Sequence, residues 1–421
     1  MMMSINNDVS PLSTLNPFYY HFNLHPRQYV APYTETPITS IDGDINKEVW
    51  SSVPWSNTFD DIRGPEDVPS QSDRPDSKCN TKFKMMWDDN YLYIIAMIES
   101  DFEVRATFTE RNSPIYQQDS DFEVFIDPLG SCHDYKELEI NALNTVWNLM
   151  LDKPYWDGGV EHSGRIAKPG DQRYYDVKYQ RTAVQIVDGN INTHDENTKD
   201  GLQRNVWVVE MALSHRDIWN HIIAHSSSPN TGDGNVEQRS VIPNIGDRWR
   251  INFSRVEKKG DINWTWQPQR VWDAKLCKHV GKVDMHLPDA WGYVQFGPSS
   301  MNSDSDNATN IIQKPGEDIH NQKDPLWPFK LAVANIYYAQ RQYKEIHGKF
   351  ACNVNELELL TDSQIFRPFD PKSMALFTTE NNYHFKVCNS EGICVSINQD
   401  RLIRIEAMNN AAHQTNIKFQ R

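Results

Sequence analysis

The sequence predicts a mainly β fold, a β-sandwich followed by a small α+β appendage, and three observations predict it. Short segments with period-two alternation recur between residues 29 and 298, separated by turns rich in Gly, Pro, Asp and Asn. Helical periodicity is scarce in that span, which argues against strands that alternate with helices in a parallel sheet. A stretch dominated by Ser, Asn, Asp and Lys over 299–325 then reads as a linker, and a new pattern begins at 326.

Taken in order, residues 1–28 read as a loose, polar leader, and order begins near Tyr29–Tyr33. The run from Ile41 to Trp50 reads as a turn and a short helix presenting Ile45, Val49 and Trp50. Thr81–Trp87, the turn Asp88-Asp-Asn90 and Tyr91–Met97 make a strand, a tight turn and a strand. Further strands are expected over 178–187, 205–213 and 248–256, with closure at Ala290–Phe296. Beyond the linker, 326–346 has the apolar spacing of an amphipathic helix, which Gly348 ends. A short helix near 355–360 and strands over 374–379, 383–387, 393–397 and 401–407 complete an appendage of unassigned role over 326–421.

The chain's 421 residues suffice for two or three domains, each with its own core. A net charge of -15 without any Lys/Arg-rich run argues against nucleic acid and anionic membrane as partners. It suits cations and neutral ligands. No stretch approaches the ~20 apolar residues of a membrane helix, and Met1–Leu24 lacks the basic and apolar regions of a secretory signal. The reading by default is a cytoplasmic protein, with secretion as the alternative. The 6 cysteines form no CxxC pair; Cys388 and Cys394 flank a hairpin turn and could bridge it, or remain free.

The central stretch is Asp119–Pro128 with Tyr135–Trp147. In its second half Leu138, Ile140 and Ala142 take one face, while Tyr135, Glu137, Glu139 and Asn141 form a polar row on the other, about 7 Å from each to the next. An ordinary solvated sheet face and a sugar- or ion-binding surface both fit such a row. Arg250, Asn252 and Arg255 are candidates for the same surface, although pairing of Glu210 with Arg250, or of Glu139 with Arg255, would make them structural. Trp156, Trp264 and Trp266 lie in or beside loops, where aromatic faces can stack on sugar rings; loop anchoring is the competing role. Lys153–Gly159 has the most ligand-like loop composition. Asp119 with Asp121, and Asp88-Asp89, offer hard oxygen ligands for calcium, although Asp88-Asp-Asn90 is also ordinary turn chemistry. GxSxG, HExxH, Walker and dinucleotide patterns are absent, so no catalytic residue is assigned.

Ile41-Asp-Gly43, Trp87-Asp-Asp89, Asp121-Phe-Glu-Val-Phe-Ile-Asp-Pro128, Tyr135-x-Glu-x-Glu-x-Asn141, Trp207-x-x-Glu210, Gly246-x-x-Trp249-Arg-Ile-Asn-Phe-Ser-Arg255, Trp264-x-Trp266-x-Pro268 and His286-x-Pro288-x-x-Trp291-Gly292 follow one another in this order. Together they resemble the family 9 carbohydrate-binding modules, and more closely the free-standing family-9-like proteins without a hydrolase domain. The resemblance spans roughly residues 30–297. It implies an immunoglobulin-like sandwich of two antiparallel sheets, non-catalytic binding of carbohydrate between tryptophan rings, and calcium as a structural ion. This chain departs from the pattern in that both sandwiching tryptophans have no unique counterparts. The wider DOMON group, with a similar fold, adds haem or redox chemistry as an alternative, for which Met85, Met86 and His286 are the available ligands. A glycoside-hydrolase-associated role is the other.

Overall fold

The structure, a computed structural model, describes residues 16–193, 204–220, 242–299 and 323–407. These divide into two compact units. One comprises Pro26–Val271 with the described residues from Val280 to Ser299; the other joins the described residues before Pro26, Trp272–His279 and the chain beyond the linker.

The larger unit is built on strands β1 (Gln28–Tyr33), β2 (Asp60–Asp61), β3 (Thr81–Trp87), β4 (Tyr91–Ser100), β5 (Asp121–Asp127), β6 (Tyr135–Asn141), β7 (Val146–Leu151), β8 (Glu161–Ser163), β9 (Arg181–Asp188), β10 (Asn205–Ser214), β11 (Arg248–Glu257), β12 (Ile262–Thr265), β13 (Arg270–Asp273), β14 (Lys278–Gly281) and β15 (Gly292–Ser299). Their main path runs β8-β7-β6-β5-β11-β15-β1-β3-β4-β10-β9. β1 is where that path turns from one layer to the other. It runs parallel to β15 from Gln28 to Ala31, is irregular at Ala31/Tyr33, and meets β3 at Tyr33.

The path folds over on itself because each half has an apolar face to bury. Phe122, Val124 and Ile126 of β5, Leu138 and Ile140 of β6, and Ile251 and Phe253 of β11 share one core with Phe83, Met85, Ile94, Ile98, Trp207, Val209 and Met211 of the opposite layer. Phe83 and Phe253 lie across the interior with ring centroids 4.0 Å apart. This is the β-sandwich that the alternation predicts, antiparallel except where β1 passes between layers.

The outer faces are also covered. Segment 38–53 lays Ile38, Trp50 and Val53 over Met86, Tyr93, Ile95 and Val208. Glu210 pins this segment, accepting from Asp42 and Gly43 N–H, Lys47 Nζ and Trp50 Nε1. Glu210 therefore pairs with Lys47, not Arg250. On the other layer, Ile62, Ile115, Met285 and Trp291 cover Phe125, Tyr135, Trp147, Leu149 and Leu151. A face of this kind reads as solvated in the sequence because its cover arrives from distant loops.

The second unit contains helix Trp327–His347, capped by Gly348 at φ 71°, and a four-stranded sheet of β16 (Met374–Thr378), β17 (Tyr383–Cys388), β18 (Ile393–Asn398) and β19 (Arg404–Ala407). Cys388 and Cys394 are disulfide-bonded across the β17–β18 pair, which decides between the two readings of those thiols. The expectation of a loose leader needs correcting for its described part: Tyr19–Asn23 is helical, His21 is buried, and Phe18 packs on Phe329 and Phe369. Most of the expected linker, 300–322, lies outside the described residues. No described helix is long and apolar enough to cross a membrane.

Candidate functional site

The outer face of β5, β6 and β7 is the polar row foreseen in the sequence. Register sets Glu123 opposite Glu139, Phe125 opposite Glu137 and Asp121 opposite Asn141; β7 then places Trp147 beside Glu139 and Leu149 beside Glu137. On the other flank β11 aligns Ser254 with Glu123 and Val256 with Asp121.

Burial separates this face into structural and reactive parts. Asn141 is consumed by loop closure: its amide donates to Phe108 O and Asp119 Oδ2, and its oxygen accepts from Leu143 and Thr145 N–H. Asp119 accepts from Thr107 N and Oγ1, Phe108 N and Asn141, so neither oxygen is left to a metal. That corrects the expectation of Asp119 and Asp121 as joint ligands. Asp88 is a turn residue, accepting from Asn90 and Tyr91 N–H and from Tyr93 Oη.

Asp121, Glu123, Glu137 and Glu139 remain, all buried. Burial first, and then the neighbouring carboxylates, hold Asp121, Glu137 and Glu139 well above the ordinary carboxylate range; burial pushes Glu123 up to about 7. Four acids so close cannot all ionise without a cation or shared protons.

The surroundings are aromatic. Tyr135 Oη is 3.0 Å from His286 Nδ1, and His286 Nε2 is 3.9 Å from Glu137. Desolvation lowers His286 to about 4, so its ring is neutral. Tyr155 meets His286 edge-on at 4.6 Å, and Tyr116 stacks along Trp147 at 6.1 Å. Arg165 sits 5.1 Å over Trp147 and pairs with Glu161. Burial, then the charges of Glu137 and Glu161, raise the Tyr155 phenol.

Tyr155 and Trp156 stand out on a built turn. Asp157, Gly158 and Gly159 N–H bond back to Pro154 and Tyr155 carbonyls, and Val160 N–H bonds to Asp152. The rings keep 47% and 53% of their surface exposed, against 0% for Trp266 and 4% for Trp264. Of the three candidate tryptophans, Trp156 is the accessible one. Trp264 and Trp266 do not, and that is a correction. Trp266 packs edge-on against Phe83 in the core, and Trp264 Nε1 donates to Asp73 O under Arg255. A Trp-x-Trp segment between Asn and Pro reads as loop, but β12 carries it onto the sheet.

The basic candidates also prove structural. Arg250 donates to Pro288 and Asp289 carbonyls and lies 4.3 Å over Tyr293; Asn252 clamps the backbone of Gln267. Arg255 has the opposite parity on β11 and pairs with Glu257 at 2.8 Å with both side chains 0% exposed, so it does not meet Glu139. Its guanidinium also reaches Thr81 Oγ1 and Glu99 O. Met85 lies in the sandwich core and Met86 beneath Trp50, so neither faces His286. Sequence reasoning named the loop that carries Tyr155 but not that ring, and it left out Tyr116, Glu161, Arg165, Glu123 and Ser254. Glu123 was visible, sharing the alternation of Asp121; the others come together only through pairing and loop closure.

Comparison with known proteins supplies one specific match. Residues 41–150, which include β3 to β6 and most of β7, match the family described as carbohydrate family 9 binding domain-like. No curated protein matches the chain. Among solved structures, a Bacteroides uniformis protein proposed to bind carbohydrate is 12% identical, covering 64% of this chain and 99% of that one at a TM-score of 0.42. A family 9 carbohydrate-binding module of Caldicellulosiruptor kristjanssonii is similar in two complexes, each 16% identical at a TM-score of 0.34. With cellotriose the match covers 68% of this chain and 100% of that one, and with glucose 66% and 100%. Similarity that loose decides nothing about which residues bind.

Proposed function

We propose that this protein, which is carbohydrate family 9 binding domain-like over residues 41–150, binds carbohydrate without catalysing its breakdown. The observation that carries the reading is the pairing of half-exposed Tyr155 and Trp156, held out on a hydrogen-bonded turn, with His286 edge-on to Tyr155 and Glu137 next to His286. Rings of this kind stack on the C–H faces of a pyranose, while Glu137, Glu161 and Arg165 offer acceptors and donors to its hydroxyls. Tyr116 supplies a third ring with a large exposed fraction.

Binding fits better than hydrolysis. Glu137 and Glu139 are two residues apart on one strand and aim from one side, whereas a glycosidase pair flanks the scissile bond. Calorimetric titration with cellotriose and glucose tests the proposal, with Tyr155→Ala and Trp156→Ala as variants. Wild type should bind, the variants should lose at least about tenfold in affinity (~1.4 kcal/mol), and their melting temperatures should stay close to wild type. A glycan array without any bound sugar would refute the reading. Prolonged incubation with xylo-, cello- and mixed-linkage oligosaccharides should yield no new reducing ends.

A further inference from the structure

We propose that Trp55, Lys82 and Lys84 form a second binding site, on the opposite outer face of the sandwich from Tyr155. Its ligand is an acidic sugar, a hexuronate whose carboxylate bridges the two lysines. The site goes beyond neutral-sugar binding at Tyr155 and Trp156 and does not rest on it. Strand β3 builds it. Phe83 and Met85 fill the core, so Lys82 and Lys84 take the other face. Trp55 is brought alongside by its neighbour: Ser56 N–H donates to Phe83 O at 2.8 Å, and Phe83 N–H donates to Ser56 Oγ at 3.0 Å. Lys82 Nζ then stands 4.5 Å from the centroid of the indole ring, and Lys84 Nζ 4.8 Å from it.

Two ammonium groups on one ring repel each other, and nothing negative balances them. Among the described residues neither lysine makes an ion pair with a carboxylate, in a chain whose net charge is -15. Lys84 is only 7% exposed, and its one hydrogen bond goes to the Trp50 carbonyl. Burial first, and then the charge of Lys82, lower its pKa, with no carboxylate offsetting them. An ammonium nine-tenths buried needs an opposite charge; a carbonyl and a ring face return only part of its lost hydration. Lys82 and Trp55 are half-buried and so within reach of a ligand. Trp55 Nε1 is neither buried nor hydrogen-bonded among the described residues.

The chemistry selects among ligands. A neutral sugar could use the indole but would leave both ammonium groups unopposed. A small anion could oppose them but would leave the ring idle. A hexuronate does both. Its carboxylate accepts from Lys82 and Lys84, its pyranose lies against the indole, and a hydroxyl oxygen accepts from Trp55 Nε1–H.

The experiment titrates the intact chain with trigalacturonate by calorimetry, with a chelator present so that no metal ion bridges acid to acid. One site per chain is expected, and sodium acetate and sodium sulfate should each bind at least tenfold more weakly. Lys82→Ala and Trp55→Ala should each weaken trigalacturonate binding at least tenfold. Lys84→Met, which removes the buried charge at similar volume, should do the same while the melting temperature holds or rises. If Lys84→Met fails to fold, the two half-buried positions decide. Lys82→Ala should leave cellotriose affinity as it is in wild type. Trigalacturonate binding by a chain that ignores cellotriose would support this site while refuting the one at Tyr155. The proposal is overturned if wild type binds no trigalacturonate at millimolar concentration. It is overturned equally if folded Lys82→Ala and Trp55→Ala bind it unchanged, which would place the acid elsewhere. Acetate or sulfate bound as tightly as trigalacturonate would overturn the ligand, because the lysines would then hold any anion without recognising a sugar.

Discussion

Tryptophan shows what a single residue type does and does not disclose. Trp156 and Trp266 both sit among Gly, Pro, Asp and Asn in the sequence, yet one is half in solvent and the other has no exposed surface. Trp266→Ala should cost about 3–5 kcal/mol, the usual range for emptying a large aromatic site in a core, and thermal melting would read it as a marked drop. The Gly292 backbone passes so close that an added Cβ would stand 2.3 Å from the Trp266 ring, so the cavity has little freedom to fill from that side. A second residue-scale prediction concerns pH. His215 is buried between Trp249 and Phe296, and its Nε2–H donates to the Asp88 carbonyl. Desolvation lowers its pKa from 6.5 to about 4. Its native form is thus neutral, while the unfolded chain binds a proton as pH falls through 6.5. Stability contributed by this site is full above 6.5 and is lost between there and about pH 4, on the order of 3 kcal/mol. His215→Gln keeps a donor and removes the titration, so denaturant midpoints across that window should flatten in the variant. An unchanged slope would assign the acid sensitivity to other groups.

At the scale of elements, period-two alternation was enough for β3, β5, β6, β10 and β11, because each has one apolar face turned to the sandwich core. It was not enough for β7. Val146-Trp-Asn-Leu-Met-Leu151 is buried on both faces and shows little alternation, so only Val146 and Trp147 were taken in, as the tail of the preceding strand. The true break lies at 142–145, where Asn144 takes φ 63° and Asn141 closes the turn. The polar row of β6 was legible as a row, but not as a buried one. Loop 115–117 and residues 285–291 cover it from far away in sequence, and pattern within a strand carries no trace of them. The loop Lys153–Gly159 was legible for the opposite reason, since its glycines and proline act locally. At Gly159 an added Cβ would stand 1.7 Å from Lys153 O, inside the turn that presents Tyr155 and Trp156. Gly159→Ala must open that turn. We expect it to abolish carbohydrate binding while the main melting transition moves little, because the loop stands outside the sandwich core. Binding that survives Gly159→Ala would move the sugar away from these rings.

For the whole molecule, the change in composition after residue 298 suggested a cut between two domains, and the contacts draw a different boundary. Residues before Pro26 and the hairpin tip Trp272–His279 cluster with the C-terminal helix and sheet. Trp272 is only 7% exposed, and its Nε1 donates to Leu360 O at 2.7 Å; Cys277 Sγ approaches Leu359 O. No composition signal marks the tip, since its partners lie some ninety residues away in the chain. A fragment of residues 28–298 should therefore fold, because the sandwich core draws every one of its residues from within 29–296. It should nevertheless bare Trp272 at its surface. The expected outcome is a fragment with β-rich circular dichroism and a cooperative melt that associates at high concentration, as exposed apolar patches do. Trp272→Ser in the same fragment should restore a monomer without lowering the melting temperature. In the intact chain that substitution should destabilise, because there the ring is buried and its N–H is bonded. If the fragment is insoluble with either residue at 272, the sandwich does not stand alone. The two units would then have to be treated as one folding domain.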